Sequence, residues 1–448
     1  MGEKMRVTRR SAVTLIGASA FAWPALAQMS GTGASFDADA RARAAIDGWY
    51  RLVLELVRHT PTYSPPVASR AFGYLGVTVW EATVAAHPGL RTLAGQLNDL
   101  TQVPVAASTR PDHGVILNAA LAAAVPVLFA NTGPTGQRAM AAMADRLAAR
   151  VVEGVDPGTV TASRSQGQAI ANHVLAWAAT DGGAEVTNMG FPASWPAPDA
   201  PSDWVPTSVV RQQQTPLLPS WGENRPLAVP AGDACSLPPP PAYATAPDSA
   251  FYAEAMAVHT ATANLTPDQL AIARFWSDDP MLSPTPPGHW ITIARIVLDD
   301  QDADAIRRAD TLARVGIGLA DALIACWQAK FAFDLLRPIT YIRAQIDSSF
   351  TPILITPPFP EYPSGHSTLS GAAAEVLTAL FGPDLAFVDT THEDDGLPAR
   401  SFANFREAAA EAGISRLYGG IHFPAAIDLG LDQGRCVAKW TNALVTRP

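Results

Sequence analysis

Three short clusters in the C-terminal third carry the residue types that bind a small anion and act on it. The central one is Pro358-Phe359-Pro360-Glu361-Tyr362-Pro363-Ser364-Gly365-His366-Ser367-Thr368, a proline-ruled loop that runs into the alanine-rich stretch Gly371–Leu380. Proline keeps the entry extended, and the run of good helix formers predicts a helix. Ser364, Gly365 and His366 therefore fall at or just before a helix N-terminus, where free N–H groups and the helix dipole favour an anion. Gly365 lets the backbone come close to a ligand. The hydroxyl and the imidazole beside it suit phosphate-like chemistry. The second cluster is Lys330 with Arg337-Pro338. Seven residues are two helical turns, so both cations share a face if the helix runs through to Pro338. The third is Ser415-Arg416-Leu417-Tyr418-Gly419-Gly420-Ile421-His422. A continuous helix would put Arg416 and His422 on different faces. Gly419-Gly420 can break it and fold His422 back, and Pro424 suits the first turn of the next helix. Taken singly, each cluster has a plain reading: a solvated cationic face, a helix cap, a surface turn.

The elements that must position these clusters are helical. Apolar residues at spacings of three and four predict helices over Asp39–Val57, Ala68–Ala86, Val115–Val125, Thr135–Val152, Ser163–Thr180, Ser249–Asn264, Thr266–Phe275, Trp290–Leu298, Asp302–Phe333, Phe402–Ala412 and Ala425–Val445. Strand-like alternation is scarce and no repeat has a fixed period. The expected fold is all-α, as helical bundles in two four-helix-bundle-like units, with one long Pro-rich loop. That excursion, residues 181–249, is crowded with Pro, Trp, Ser and Asp and includes Pro238–Pro241. Its length is unusual for a connection. Trp195, Trp204 and Trp221 argue for an ordered loop that packs on the helical body.

With 448 residues, 48% of them hydrophobic, the chain can bury a large core, and its net charge of −10 argues against a nucleic-acid partner. Lys4, Arg6, Arg9 and Arg10 precede a short apolar run, Ala12–Trp23, and a small-x-small site at Ala25-Leu26-Ala27. Thr8-Arg9-Arg10-Ser11 has the form of a twin-arginine signal. The expectation is a signal peptide over 1–27, an exported, periplasmic or secreted protein, and a single large helical domain over 28–448. The shorter chain carries 27 basic and 40 acidic residues, net −13, and no later stretch predicts a membrane span. Cys235, Cys326 and Cys436 lack metal-ligand spacing; one disulfide can form, the pairing is open, and Cys326 reads as a buried apolar residue.

The order and spacing of the three clusters, Lys330-x6-Arg337-Pro338, Pro363-Ser364-Gly365-His366 and Ser415-Arg416-x5-His422, resemble the signature shared by vanadium-dependent haloperoxidases and type-2 phosphatidic-acid phosphatases. The resemblance covers roughly residues 270–445. It implies an oxyanion cage of Lys330, Arg337, Ser364, Gly365 and Arg416. It also implies His422 as axial ligand of vanadate, or as nucleophile toward phosphorus, and His366 as general acid–base. Three cations fit such an anion: at an effective dielectric near 20, each contact at about 4 Å contributes on the order of 4 kcal/mol before desolvation. Phe359 and Trp327 match the aromatic positions of the fungal-type chloroperoxidases and imply a substrate wall. Asp278 or Asp279 resembles the family's acidic partner of the active-site His and Arg; Trp276 points to Asp279, Thr285-Pro286-Pro287 to Asp278. His289 carries no more weight than a structural His. One departure stands out. The family's Asp four residues after the last His is here Ala426, and Asp428 is turned away, so the partner of the other His422 nitrogen is open: a backbone carbonyl, or an acid from elsewhere. The implied function is halide oxidation by hydrogen peroxide at vanadate, with a small organic acceptor. The alternatives are a soluble acid phosphatase acting on phosphate esters without cofactor, and a non-catalytic oxyanion-binding protein. The sequence leaves a homo-oligomer open.

Overall fold

Short polar side chains and prolines start most helices. Asp37, Asp112, Asp156, Ser249, Thr266, Asp304, Ser364 and Asn404 each cap a helix by accepting a backbone N–H from its first turn. Proline occupies the first turn of seven helices, two of them among those capped, where its missing N–H costs nothing. The structure, a computed structural model, describes residues 37–104, 111–186, 188–208, 210 and 213–448. The signal peptide expected over 1–27 lies outside the described residues.

The all-α reading holds. One group of helices contains α1 (Ala38–Arg58), α2 (Pro65–Ala86), α3 (His113–Leu128), α4 (Pro134–Arg150) and α5 (Pro157–Ala178). After the Pro-rich excursion come α6 (Ala250–Ala263), α7 (Pro267–Phe275), α8 (Thr285–Asp300), α9 (Ala305–Phe333) and α10 (Pro338–Gln345). Then follow α11 (Gly365–Phe381), a hairpin of β1 (Phe387–Asp389) and β2 (Arg400–Phe402), α12 (Phe405–Tyr418) and α13 (Pro424–Asn442). The second group packs α9, α11, α12 and α13 together, and α2 lies against α9 to join the two. The helix α10 and the hairpin were not expected from the periodicity; both are too short to carry a pattern. No helix among the described residues is long and apolar enough to cross a membrane.

The helix that carries the central motif, α11, sits unusually close to α13. A Cβ on Gly371 would lie 2.5 Å from the Leu431 carbonyl oxygen, and one on Gly434 would lie 2.1 Å from that of Thr368. Glycine at both places lets the two backbones touch, which brings the start of α11 beside the start of α13.

The excursion packs on the body, as its tryptophans suggest. Trp204 and Trp221 are buried, and Trp195 meets Phe331 edge-on at 5.7 Å. The Leu217 N–H donates to Pro358 O at 2.8 Å, and Trp327 Nε1 donates to Leu217 O at 3.2 Å, so the excursion braces the motif loop directly. The disulfide is Cys235–Cys436, which ties the excursion to α13; Cys326 is free and buried. A third tie is Asp321 of α9. Its buried carboxylate accepts the N–H groups of Leu227, Ala228 and Val229 at 2.5, 2.8 and 2.9 Å. Asp321→Ala strands those three donors and is expected to lower stability by about 3 kcal/mol in urea unfolding. Proteolytic nicking of the excursion should rise with it; an unchanged midpoint would mean the excursion is held elsewhere.

Candidate active site

The motif loop ends where the sequence places it. Ser364 is the N-cap of α11, its Oγ accepting the Ser367 N–H, and Gly365 and His366 are the first two helical residues. The Ser364 N–H donates to Ala426 O at 2.9 Å, which fixes α11 to the first turn of α13. Packing does not demand glycine at 365: an added Cβ would meet Trp327 at an ordinary 3.8 Å.

Lys330 and Arg337 meet, but not as two turns of one helix. The helix α9 stops at Phe333, Asp334 takes a left-handed conformation (φ 43°), and Arg337 becomes the N-cap of α10. A break in the helix, not continuous helical periodicity, precedes Arg337. Lys330 is fully buried and donates to the carbonyl oxygens of Pro360, Glu361 and Pro363 at 2.8, 2.9 and 2.5 Å. All three of its protons clamp the motif loop, and burial brings its ammonium down to about 7. Arg337, also fully buried, donates from Nε to Phe359 O at 2.8 Å and from Nη1 to Ile421 O at 3.0 Å.

Arg416 and His422 are separated by the expected break. The helix α12 ends at Tyr418, Gly420 has φ 77°, and Pro424 opens α13. The turn sets His422 Nε2 3.2 Å from Arg337 Nη1. The other nitrogen, Nδ1, lies 2.8 Å from Glu361 Oε1, which also accepts the Phe423 N–H at 2.8 Å. The orienting acid therefore comes from the motif loop, not from α13, where Ala426 stands. Glu361 is fully buried; burial pushes its carboxyl up to about 7 against the pull of Arg337, the Phe423 N–H and Lys330. Burial, then Arg337, Lys330 and Arg416, hold the His422 imidazole well below its usual value, so the ring is neutral. A carboxylate on Nδ1 keeps the proton there and leaves Nε2 as the lone-pair donor toward the cations. Sequence reasoning missed Glu361; the one available signal was a charged residue inside an otherwise apolar proline loop.

His366 stands at the other side. Its Nε2 lies 3.9 Å from Asp278 Oδ2, and its side chain is 15% exposed. Burial and the charge of Arg416 hold it well below the usual value, opposed by Asp278 and the Trp276 carbonyl. Asp278 is the carboxylate that faces His366. Asp279 is raised by burial and sits nearer in influence to Arg416, which donates to Trp276 O at 2.6 Å. His289 turns out to be tightly engaged: its Nδ1 is 3.0 Å from both Asp278 oxygens, its Nε2 is 2.8 Å from Asp389, and the Trp276 ring stacks on it at 4.4 Å. Asp389 and His392, both on or beside the hairpin, escaped the sequence reading because two three-residue strands leave no periodic trace.

The donors have room for one more partner. Arg337 Nη2, Arg416 Nε and His366 Nε2 are buried and make no hydrogen bond among the described residues. Two buried guanidinium donors without acceptors, next to the neutral imidazoles of His366 and His422, suit a tetrahedral oxyanion such as vanadate or phosphate. The residues thus fit the group the resemblance implies. Trp327 and Phe359 pack against each other, ring centroids 4.9 Å apart, with Lys330 Nζ and Arg337 Cζ 5.1 and 4.9 Å from the Phe359 ring.

Known proteins similar to this chain are recognisable. A family model described as the VCPO second helical-bundle domain matches residues 310–448. Vanadium chloroperoxidase of Curvularia inaequalis is 26% identical over 176 residues, 32% of this chain and 29% of that protein, so the match spans under a third of that curated relative. A crystal structure described as the first bacterial vanadium-dependent iodoperoxidase is 35% identical, with 91% of this chain and 96% of that one covered and a TM-score of 0.80. A holo-type bacterial vanadium-dependent chloroperoxidase shares the fold at 18% identity and a TM-score of 0.62, with 87% and 94% covered.

Proposed function

The chain belongs to the vanadium-dependent haloperoxidases, and on that premise we propose that it is an enzyme that oxidises halide with hydrogen peroxide. The reaction consumes one halide, one peroxide and one proton and yields hypohalous acid and water. The observation that carries this reading is His422: neutral, its Nδ1 proton fixed on Glu361, its Nε2 presented beside Arg337 and the unpartnered donors. His422 Nε2 would hold vanadate, which would supply there a Lewis-acidic centre that activates hydrogen peroxide toward halide with no change in its own oxidation state. Arg337, Arg416, Ser364 and the Gly365 N–H would hold the anion's oxygens. Lys330 contributes charge from beneath the loop it clamps. His366, neutral and unpartnered at Nε2, takes the proton of the incoming peroxide and returns it to the departing oxygen. Trp327 and Phe359 line the approach of halide and exclude water.

Iodide is the first halide to test, because the similar bacterial structure is described as an iodoperoxidase and iodide is the easiest of the three to oxidise. Purified protein given orthovanadate, peroxide and iodide, bromide or chloride should turn over only with vanadate, and inorganic phosphate should inhibit by competing for the cage. Hydrolysis of p-nitrophenyl phosphate without halide oxidation would move the assignment to an acid phosphatase. Neither activity, with vanadate still bound, would leave an oxyanion-binding protein. We also infer export through the twin-arginine route; the basic pair Arg9-Arg10 and the Cys235–Cys436 bridge, suited to an oxidising compartment, support it.

A further inference from the structure

Asp278 is shared among three imidazoles. Its Oδ1 receives His392 Nε2 at 3.2 Å and His289 Nδ1 at 3.0 Å, its Oδ2 receives the same His289 nitrogen at 3.0 Å, and His366 is left at 3.9 Å. We propose that His392, carried into the cluster by the loop between β1 and β2, is a positioning residue that competes with His366 for the Asp278 carboxylate and so governs how firmly His366 holds its proton. The inference rests on the reading of His366 as the proton carrier.

The surroundings of the two outer histidines differ in the way this requires. His289 is fully buried between Asp278 and Asp389, with Trp276 on its face; burial would lower it, but the two carboxylates push it up to about 10. It is a fixed cation. His392 is buried as well, but its second carboxylate partner reaches solvent. From its own loop Asp395 Oδ2 meets its Nδ1 at 3.0 Å, and Asp395 is 27% exposed and paired with Arg58 of α1. Phe275 of α7 and His289 of α8 touch its ring, at centroid distances of 5.2 and 4.9 Å, and Asp278 takes its Nε2. Glu393 and Asp394 of the same loop are exposed. Burial opposes its charge, and Asp278 and Asp395 raise its pKa above the ordinary histidine value.

The competition follows from counting protons. As an imidazolium, His392 has an N–H for each of its two carboxylates. Once neutral it keeps one N–H for two acceptors, and one carboxylate loses its partner. When that one is Asp278, Oδ2 can close the 3.9 Å gap to His366 and form a charge-assisted hydrogen bond of about 2.8 Å. That contact favours protonated His366. A cationic His392 therefore keeps His366 neutral, in the form that accepts the peroxide proton, and preserves activity toward acid pH.

The test reads His366 itself, by imidazole NMR titration of the full-length protein without vanadate, so it stands apart from whether the chain oxidises halide. In the natural protein, the His366 resonances should show a second, smaller step at the pH where His392 titrates. In His392→Gln, the His366 midpoint should rise by about one unit. In His392→Arg, which restores a cation beside Asp278, it should return toward the natural value. With vanadate added, the acid limb of the rate profile should move up by the same amount in His392→Gln. A His366 titration identical in the natural protein and both variants overturns the proposal. So does one equivalent of zinc in the purified protein that chelation removes together with the cluster's proton signals, because a metal, not protons, would then join Asp278, His289 and His392.

Discussion

His422→Ala is expected to reduce halide oxidation to background and to weaken vanadate binding by more than about 100-fold, since losing even the carboxylate partner of a ligating histidine costs about 10–100-fold. The ring supplies the only neutral nitrogen placed 3.2 Å from Arg337 Nη1 among the described residues. Without it the cage keeps its charge but loses the lone pair that makes a bond. Weak anion binding through Arg337 and Arg416 should persist, because neither arginine depends on His422 for its carbonyl contacts. Glu361 keeps the Phe423 N–H, so the loop should stay folded. Vanadate affinity by calorimetry and thermal unfolding of the same sample separate a lost ligand from a lost fold. Surviving turnover would place the reaction elsewhere on the chain.

Glu361→Gln and Glu361→Ala should fall in that order, by about 10-fold and up to about 100-fold in vanadate affinity. Glutamine can still accept from His422 Nδ1 and the Phe423 N–H, so it preserves orientation and removes charge. Alanine removes both and strands a buried N–H. The sharper comparison adds Ala426→Asp. Position 426 is fully buried in the first turn of α13 and shares a small cavity with Glu361, Glu254 and Phe423. An aspartate there would stand four residues after His422, the place the family resemblance implies for it. In the Glu361→Gln background it should recover about 10-fold of the loss; in the natural background it should cost affinity, because two buried carboxylates would compete for one imidazole. If Ala426→Asp fails to rescue while both proteins unfold normally, the direction from which the acid approaches His422 matters more than its presence.

The outcome at Glu361 shows where reading the sequence stops. Pro363-Ser364-Gly365-His366 predicts a capped helix start because proline, a short hydroxyl and a helix former each act on backbone within four residues. Gly419-Gly420 predicts a break for the same reason, and both hold. The helices of the body are equally legible, since burial against a neighbour imposes the 3.6-residue pattern wherever a helix is long enough to repeat it. Lys330 and Arg337 mark the limit: the same spacing of seven suits two turns of one helix or two elements with a break between, and only the left-handed Asp334 decides for the break.

By itself, then, the chain determined which residues could bind an oxyanion, that helices would carry them, and which family they resemble, because motif chemistry and helix periodicity are local. The tertiary structure decided who partners whom. It put Glu361 behind His422 in place of an aspartate at 426, chose Asp278 over Asp279 to face His366, made His289 part of a buried charge cluster, and paired Cys235 with Cys436 across 201 residues. Most of these contacts join segments far apart in sequence. Their geometry follows from how the helices and the loops between them pack, and no spacing along the chain encodes it.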